Sequence, residues 1–199
     1  MDVSGIILAG GRSSRMGRDK TLLVYNDETM IERTVRKLRN FVDEIIVASN
    51  STAKYNLPGI VEVPDTYPGM GPLGGMHAGL MAARHQYAFI VSCDMPFFTE
   101  ELAGYLIKRS AEYDVIVPEI EGRLEPLCAV YSRNCVKPIE KCLQANVRQV
   151  YQFYSEVRVL KIRESELCPV GDLREMFYNL NTPEDVRYLR TTHQTDRLR

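Results

Sequence analysis

Several features that mark other classes of protein are missing from this chain of 199 residues. No apolar run approaches the roughly 20 residues that a membrane-spanning helix needs, and the opening MDVSGIILAGG has neither the basic segment nor the cleavage site of a secretory signal. The formal net charge is -1, without the broad basic excess that is typical of nucleic-acid-binding proteins. We therefore expect a cytoplasmic protein that binds neither a membrane nor nucleic acid.

Patterns that would indicate disulfides or a Cys/His metal centre are also missing. The five cysteines are an odd number and include no C-x-x-C pair, which favours reduced thiols. His77, His85 and His193 show no metal-ligand spacing. No Ser-His-Asp or Cys-His arrangement is evident either, so a covalent enzyme intermediate is not required.

What is present is an ordinary globular composition, with 45% hydrophobic and 26% charged residues. Short apolar runs that read as buried strands alternate with segments that have helical spacing, which predicts an α/β fold with a doubly wound, mostly parallel sheet. The length favours a single domain, which we place at residues 1–190, followed by a polar tail at 191–199. The predicted strands lie near residues 3–8, 45–48, 60–63, 87–91 and 115–117.

Local signals set several element boundaries. Thr29 followed by Glu32 predicts a capping box and a helix from about Met30 to Arg39. The glycines and prolines of residues 65–75 predict a loop, with the next helix beginning near Met76. Pro118 is expected to end a strand, the segment EPLCAVY at 125–131 to form the returning strand, and Asn134 to cap the following helix.

The stretch Leu8–Thr21, LAGGRSSRMGRDKT, follows the first predicted strand. Gly10 and Gly11 lack a Cβ, so their backbone can approach a ligand closely, and successive N–H groups in such a turn can bind an anion. Four basic residues against one acidic residue between positions 12 and 20 give a local charge of +3. This chemistry suits a triphosphate.

The common phosphate-binding motifs do not explain this stretch. A Walker loop requires G-x-x-x-x-G-K-[ST], but the residue five positions after Gly11 is Met16 and Gly17 is followed by Arg18. The dinucleotide fingerprint G-x-G-x-x-G has no match either, because Gly10 and Gly11 are adjacent. A plain strand-to-loop turn with a solvated basic face is the remaining alternative.

Polar residues follow three other predicted strands. Asn50 follows the second, Asp65 opens the glycine-rich loop, and Asp94 leaves the strand at 87–91 with Pro96 behind it. Since open α/β sheets bind ligands at the carboxyl ends of their strands, we expect these side chains to converge there. A carboxylate such as that of Asp94 is well placed to hold Mg²⁺, although by itself it could equally make a turn or cap the next helix.

These residues carry a resemblance. The sequence matches the L-A-G-G-x-S-x-R-M-G-x-D-K motif of the sugar-nucleotide-type nucleotidyltransferases and, within them, resembles the molybdenum cofactor guanylyltransferase family. Further matches cover almost the whole chain, as G-P-L-x-G at 71–75, C-D-x-P at 93–96, E-P-L-x-A-x-Y at 125–131 and N-x-N-T-P-E-D at 179–185. The resemblance implies transfer of GMP from GTP to the molybdenum-molybdopterin cofactor, with release of pyrophosphate.

The resemblance also implies roles for individual residues. Three residues are implied to be catalytic, with Asp94 also the Mg²⁺ ligand: Arg15, Lys20 and Asp94. GTP binding is implied for Leu8, Ala9, Gly10, Gly11, Lys20, Asn50, Asp65 and Asp94, and molybdopterin binding for Asn179 and Asn181. Other cofactor-biosynthesis proteins or recipient molybdoenzymes are possible partners.

Alternatives stay open at this point. The cytidylyltransferases that act on the same cofactor share the architecture, and their first motif typically has L-A-A-G, so Gly10 favours GTP on the strength of one residue. Nucleotidyltransferases for sugar phosphates are a further alternative, against which Asn179 and Asn181 speak, although two asparagines are also ordinary in a polar loop before a helix. A non-catalytic nucleotide-binding protein is disfavoured because it has less use for both Lys20 and Asp94.

Overall fold

The computed structural model describes residues 2–10, 20–25, 27–50, 54–180 and 185. In this part of the chain, a main sheet is assembled in the order β10-β7-β9-β6-β1-β4-β5, with β8 paired to β7, and β2 and β3 form a separate ribbon. The strands are β1 Val3–Leu8, β2 Val24–Tyr25, β3 Glu28–Thr29, β4 Glu44–Ser49, β5 Ile60–Pro64, β6 Tyr87–Ser92, β7 Val115–Ile120, β8 Arg123–Leu124, β9 Cys128–Ser132 and β10 Val159–Arg163.

Helices cover both faces of this sheet. They are α1 Met30–Leu38, α2 Pro72–Ala82, α3 Glu100–Ile107, α4 Val136–Gln144, α5 Glu164–Leu167 and α6 Leu173–Met176. Short 3₁₀ turns lie at Lys20–Leu22, Ser110–Glu112, Arg133–Cys135, Val150–Glu156 and Cys168–Val170. No helix in the described part of the chain combines the length and the apolar character needed to cross a membrane.

The central strand β1 is buried along its whole length and pairs in parallel with both β4 and β6. Ile6 and Ile7 point to opposite faces, as successive strand residues must, and each lies in a different apolar cluster. One cluster packs against α1 and α3, and the other against α2 and α4. The predicted doubly wound, mostly parallel α/β fold is therefore confirmed, with β8 and β9 as its antiparallel members.

The capping box predicted for α1 is present. The Thr29 hydroxyl accepts a hydrogen bond from the Glu32 backbone N–H at 3.3 Å, and the Glu32 carboxylate accepts one from the Thr29 N–H at 2.9 Å. Two backbone donors at the helix N-terminus are thereby satisfied. The capping box thereby fixes the residue at which α1 begins.

Helix α2 begins at Pro72, four residues before the predicted start near Met76. Proline is favoured at the first helical position because its missing N–H would be unpaired there in any case. Gly75 remains helical because the helix packs closely on the sheet: a Cβ at this position would lie 3.2 Å from Leu8 Cδ2 and 3.6 Å from Ala48 Cβ. Here glycine permits close packing of a helix instead of ending it.

Two predicted strand boundaries are wrong. Strand β7 continues through Pro118 to Ile120, with the Pro118 carbonyl accepting a hydrogen bond from the Glu125 N–H at 2.9 Å. The segment at 125–131 is not one strand, since its first three residues form a turn closed by a hydrogen bond of 3.2 Å from Cys128 N to Glu125 O. Glu125 is thus attached to β7 beyond the end of β8, and the turn that follows it leaves β9 to begin at Cys128.

Asn134 does not cap a helix but binds the buried carboxylate of Asp114. Its amide donates to Asp114 Oδ1 at 2.8 Å, while Ser132 caps the 3₁₀ turn that precedes α4. Arg158 donates to Asp114 Oδ2 from its backbone N–H and from Nε, each at 3.1 Å. Burial alone would raise the pKa of Asp114, but the hydrogen bonds from Arg158 and Asn134 outweigh it and lower the pKa from 3.8 to about 2.

The domain at 1–190 with a tail at 191–199 stays a prediction, because residues 186–199 lie outside the described residues.

We expect Asp114→Asn to lower the free energy of unfolding at pH 7 by about 2 kcal/mol, because ionised Asp114 stabilises the folded state through its lowered pKa. This contribution is present above pH ~4 and is lost as the pH falls toward the folded pKa of about 2. The difference in the free energy of unfolding between wild type and variant should therefore be smaller in acid. Urea denaturation at pH 7 and at pH ~3 measures the difference.

The matched control is Glu156→Gln, which removes a carboxylate from an exposed ion pair with Lys141. Such pairs contribute less than about 1 kcal/mol. An Asp114→Asn protein as stable as the control at pH 7 would contradict the assignment.

Candidate active site

The carboxyl ends of the central parallel strands are joined by backbone hydrogen bonds that continue beyond the strands. Ala9 N donates to Ala48 O at 2.9 Å, and Cys93 N donates to Leu8 O at 3.1 Å. The chain leaving β1 is thereby attached to β4 on one side and to the segment after β6 on the other. Leu8 and Ala9, both predicted site residues, are buried at this edge.

Gly10 and Asn50 lie together at the solvent-exposed side of the same edge. A Cβ built on Gly10 would be 3.6 Å from Asn50 Oδ1, and both residues are exposed. The next residue predicted for the site, Gly11, lies outside the described residues, as does Arg15. Within the described chain, the edge is therefore open where the basic stretch begins.

Tyr55 connects Ala9, at the end of β1, to Thr21. Its hydroxyl donates to Thr21 Oγ1 at 3.1 Å and lies 3.5 Å from the Ala9 carbonyl oxygen. Thr21 is buried in the 3₁₀ turn that starts at Lys20. The backbone of Lys20 is thus held next to the end of β1, while its side chain lies outside the described residues.

Asp65 follows β5, and hydrogen bonds from its backbone N–H and to its carboxylate fix its position. Its N–H donates to Ser49 O at 3.0 Å, and its Oδ1 accepts from Tyr67 N at 2.8 Å. Burial raises the pKa of Asp65. The carboxylate lies directly against Gly74 in the first turn of α2, where any side chain would overlap it. The helix start and the carboxylate therefore occupy their positions only because residue 74 has no Cβ.

Asp94 lies half-buried in a turn immediately after β6. Its Oδ1 accepts a hydrogen bond from Ser92 Oγ at 2.5 Å, and Met95 N closes the turn onto Ser92 O at 3.0 Å. Asp94 does not cap α3, since the side chain of Thr99 accepts the hydrogen bond from Leu102 N. Of the two simpler roles considered for Asp94, making a turn and capping the next helix, the capping role is thereby excluded.

The side chains available as ligands determine whether a divalent metal ion could bind at this edge. In the described part of the chain, no three His, Cys, Asp or Glu side chains form a group that could hold a metal ion by themselves. Mg²⁺ is usually bound by one or two carboxylates together with substrate phosphates and water. A half-buried carboxylate such as Asp94 fits that mode of binding.

The described start of the asparagine motif, Asn179 and Leu180, lies next to Asp94. Leu180 N donates to Asp94 O at 2.9 Å, and Asn179 is half-buried with its amide 3.4 Å from Phe177 O. Asn181 lies outside the described residues. Leu180 and Asp94, 86 positions apart in the sequence, are thus joined by one backbone hydrogen bond, which no local sequence pattern predicts.

Two further residues near Asp94 were not identified from the sequence. Lys37 of α1 donates to backbone carbonyls in the segment that carries Asp94. Glu125 lies in the turn before β9, next to Leu127, whose carbonyl accepts from Ser92 N at 2.8 Å. Burial raises the pKa of Glu125, and among the described residues none donates a hydrogen bond to its carboxylate. Lys37 carried no motif, and Glu125 lay in a motif without an assigned role.

Comparisons with known proteins identify the family of this chain. A family model described as MobA-like NTP transferase domain matches residues 5–159. A probable molybdenum cofactor guanylyltransferase of Pelotomaculum thermopropionicum is 40% identical over 99% of this chain and 96% of that protein. A molybdenum cofactor guanylyltransferase of Desulfosudis oleivorans is 38% identical over 92% of each.

Solved structures share the fold. The crystal structure of molybdopterin-guanine dinucleotide biosynthesis protein A from Archaeoglobus fulgidus has a TM-score of 0.83 at 21% identity, covering 97% of this chain and all of that one. The 2-C-methyl-D-erythritol 4-phosphate cytidylyltransferase of Thermus thermophilus has a TM-score of 0.74 at 16% identity, over 98% of this chain and 100% of that one. The likeness to both structures concerns the fold alone. The family match and the full-length relatives together establish that this chain belongs to the family of MobA-like NTP transferase domains.

Proposed function

We propose that the protein is a molybdenum cofactor guanylyltransferase, which transfers GMP from GTP to the molybdenum-molybdopterin cofactor and releases pyrophosphate. The observation that carries the proposal is the full-length likeness to relatives named for this activity, at 40% and 38% identity. The position of the described members of the predicted site at one edge of the sheet supports it: Leu8, Ala9, Gly10, Asn50, Asp65 and Asp94.

The reaction is a direct displacement at phosphorus. An oxygen of the pterin's terminal phosphate attacks the α-phosphorus of GTP, and the bond from that phosphorus to the bridging oxygen of pyrophosphate breaks. A phosphate nucleophile is already ionised near neutral pH, so no general base is required, and the protein acts by positioning the substrates and stabilising charge.

For GTP, we assign base recognition to the backbone of Leu8 and Ala9. The N–H of Ala9 is already bonded to Ala48 O, so its carbonyl is the group through which it can accept the donors of a guanine edge. Gly10 and Gly11 provide backbone for the phosphates. Asn50 and Asp65 complete the nucleotide site. The position of Asn50 beside Gly10 supports its own assignment, since a Cβ built on Gly10 would lie 3.6 Å from Asn50 Oδ1.

Arg15 and Lys20 are assigned to the pyrophosphate leaving group, whose negative charge increases as the bond breaks. Asp94 is assigned as the Mg²⁺ ligand, through the oxygen chemistry that this ion prefers. The bound ion would act as a Lewis acid on the phosphate oxygens. The hydrogen bond from Ser92 then orients the carboxylate toward the substrates.

For the second substrate, we assign Asn179 and Asn181. Amide side chains offer both donors and acceptors to a pterin or its phosphate. Glu125 supports the same assignment, because a half-buried carboxylate can accept the amino and ring N–H groups of a pterin. The link from Leu180 N to Asp94 O supports a pterin site adjacent to the metal ligand.

The choice of nucleotide is tested directly by incubating the protein with molybdopterin cofactor, Mg²⁺ and either GTP or CTP. We expect pyrophosphate release with GTP and at least ~100-fold less with CTP, because a buried polar site rejects a base that leaves its groups unpaired. Release with CTP alone would identify a cytidylyltransferase. Release from neither nucleotide, with tight GTP binding, would identify a non-catalytic binding protein.

We expect Lys20→Ala to lower turnover by about 100-fold or more, because the variant lacks a cation that stabilises the leaving group. The fold should persist, since the substitution leaves the core intact. The matched control is Lys161→Ala, at an exposed position on β10 at the far edge of the sheet. Steady-state turnover measures both variants, and an active Lys20→Ala enzyme would remove Lys20 from the site.

Asp94→Asn keeps the shape of the side chain but weakens the metal site. We expect lower activity and a Mg²⁺ concentration for half-maximal activity that is raised by about 10-fold or more, since an amide is a weaker ligand than a carboxylate. The control is Glu101→Gln, which changes an exposed carboxylate on α3. A titration in which Mg²⁺ dependence matches that of wild type would contradict this role.

A further inference from the structure

Lys37 contacts the segment that carries Asp94 from a distant part of the chain. Its ammonium group donates to the Pro96 carbonyl at 2.8 Å and to the Phe98 carbonyl at 2.7 Å. The same group lies 5.0 Å from the centre of the Phe98 ring, within the range of a cation–π contact. One side chain of α1 thus binds the backbone of residues 93–99 at two points.

The segment needs these donors because it is neither helix nor strand. Residues 93–99 form turns between β6 and α3, so most of their carbonyls lie outside the regular hydrogen-bond pattern of a helix or a sheet. Buried carbonyls without partners are strongly disfavoured. Lys37 supplies N–H groups to two of them, at positions two and four residues beyond Asp94.

Other contacts hold the two ends of the segment. Cys93 N is bonded to Leu8 O at the β6 end, and Thr99 caps α3 at the other. Between them, Arg33 lies one helical turn before Lys37, with its guanidinium 5.7 Å from the Phe97 ring. The middle of the segment is therefore held by the cationic face of α1.

Lys37 is a half-buried cation. Burial first, and then the nearby positive charges of Arg33 and Arg36, together lower the pKa of Lys37 to about 8, while the carboxylate of Glu175 acts in the opposite direction. The cost of desolvating the ammonium group is offset by its hydrogen bonds to the two carbonyls.

We propose that Lys37 is a positioning residue that fixes the backbone of residues 93–99 and thereby the place of Asp94 at the edge of the sheet. The proposal rests on the proposed function of Asp94 as the metal ligand. Lys37 contacts Pro96 and Phe98 on one side of Asp94, while Leu180 N binds the Asp94 carbonyl itself. Loss of the lysine donors should loosen all three contacts together.

The test compares Lys37→Met, which keeps an unbranched side chain without donors, with Lys37→Arg, which keeps the donors and the charge. Arg36→Met is the matched control, because Arg36 is an exposed cation of the same helix that pairs with Glu28. Amide hydrogen exchange, read at single-residue resolution without nucleotide, measures the positioning independently of activity.

For Lys37→Met, we expect the amides of Cys93, Met95 and Leu180 to exchange at least ~10-fold faster than in wild type, while those of β1 and β4 are unchanged. In the enzyme assay, the Mg²⁺ concentration for half-maximal activity should rise by about 10-fold, with the KM for GTP changed less than ~2-fold. Lys37→Arg should restore most of both effects, and Arg36→Met should show neither.

Unchanged exchange at Cys93, Met95 and Leu180 in Lys37→Met would overturn the proposal. A Lys37→Arg protein as impaired as Lys37→Met would also overturn it, because a change in side-chain volume, and not the loss of hydrogen-bond donors, would then explain the defect. A purely structural role would instead speed exchange throughout the sheet and leave the Mg²⁺ dependence of the folded enzyme unchanged. If wild type released no pyrophosphate but the exchange pattern held, the proposed function alone would fail.

Discussion

The parallel pairing of β1 with β4 and β6 is the constraint on which the site depends. Parallel strands end at the same edge of a sheet, so every chain segment that leaves them starts from a common line. Two hydrogen bonds continue this pairing past the last strand residues, from Ala9 N to Ala48 O and from Cys93 N to Leu8 O. Segments separated by some forty residues of sequence are therefore set side by side by backbone groups, whatever side chains they carry.

The close approach of α2 to this edge depends on small residues. A Cβ at Gly74 would overlap the Asp65 carboxylate, and one at Gly79 would lie 2.6 Å from Ile6 Cγ2. With larger residues, the helix would have to move away from β1 and Asp65 would lose its place. The glycines of this region thus serve packing between a helix and a sheet, and the carboxylate occupies the space that this packing leaves.

The sequence predicts those parts of the structure that depend on local patterns of residues. Buried runs such as Val3–Leu8 were sufficient to predict the fold class, and the Thr29–Glu32 capping box was sufficient to predict the start of α1. The predictions failed where a residue has a partner far away in the chain. Gly75 was assigned to a loop because its contact with Leu8 is invisible in the sequence, and Asn134 was assigned as a cap because its partner, Asp114, lies twenty residues earlier.

The same limit explains which parts of the candidate site were found. Asp65 and Asp94 follow strands directly, so the rule for open α/β sheets identifies both from position alone. Lys37 lies on a helix, at a spacing that predicts only an amphipathic face, and its hydrogen bonds reach carbonyls 59 and 61 residues away. A motif singles out residues by their side-chain type, whereas Lys37 donates to backbone carbonyls, which any residue type presents. The sequence therefore predicts such a site only in part. It shows the chemical type of a donor such as Lys37, but it does not show the distant carbonyls to which that donor binds.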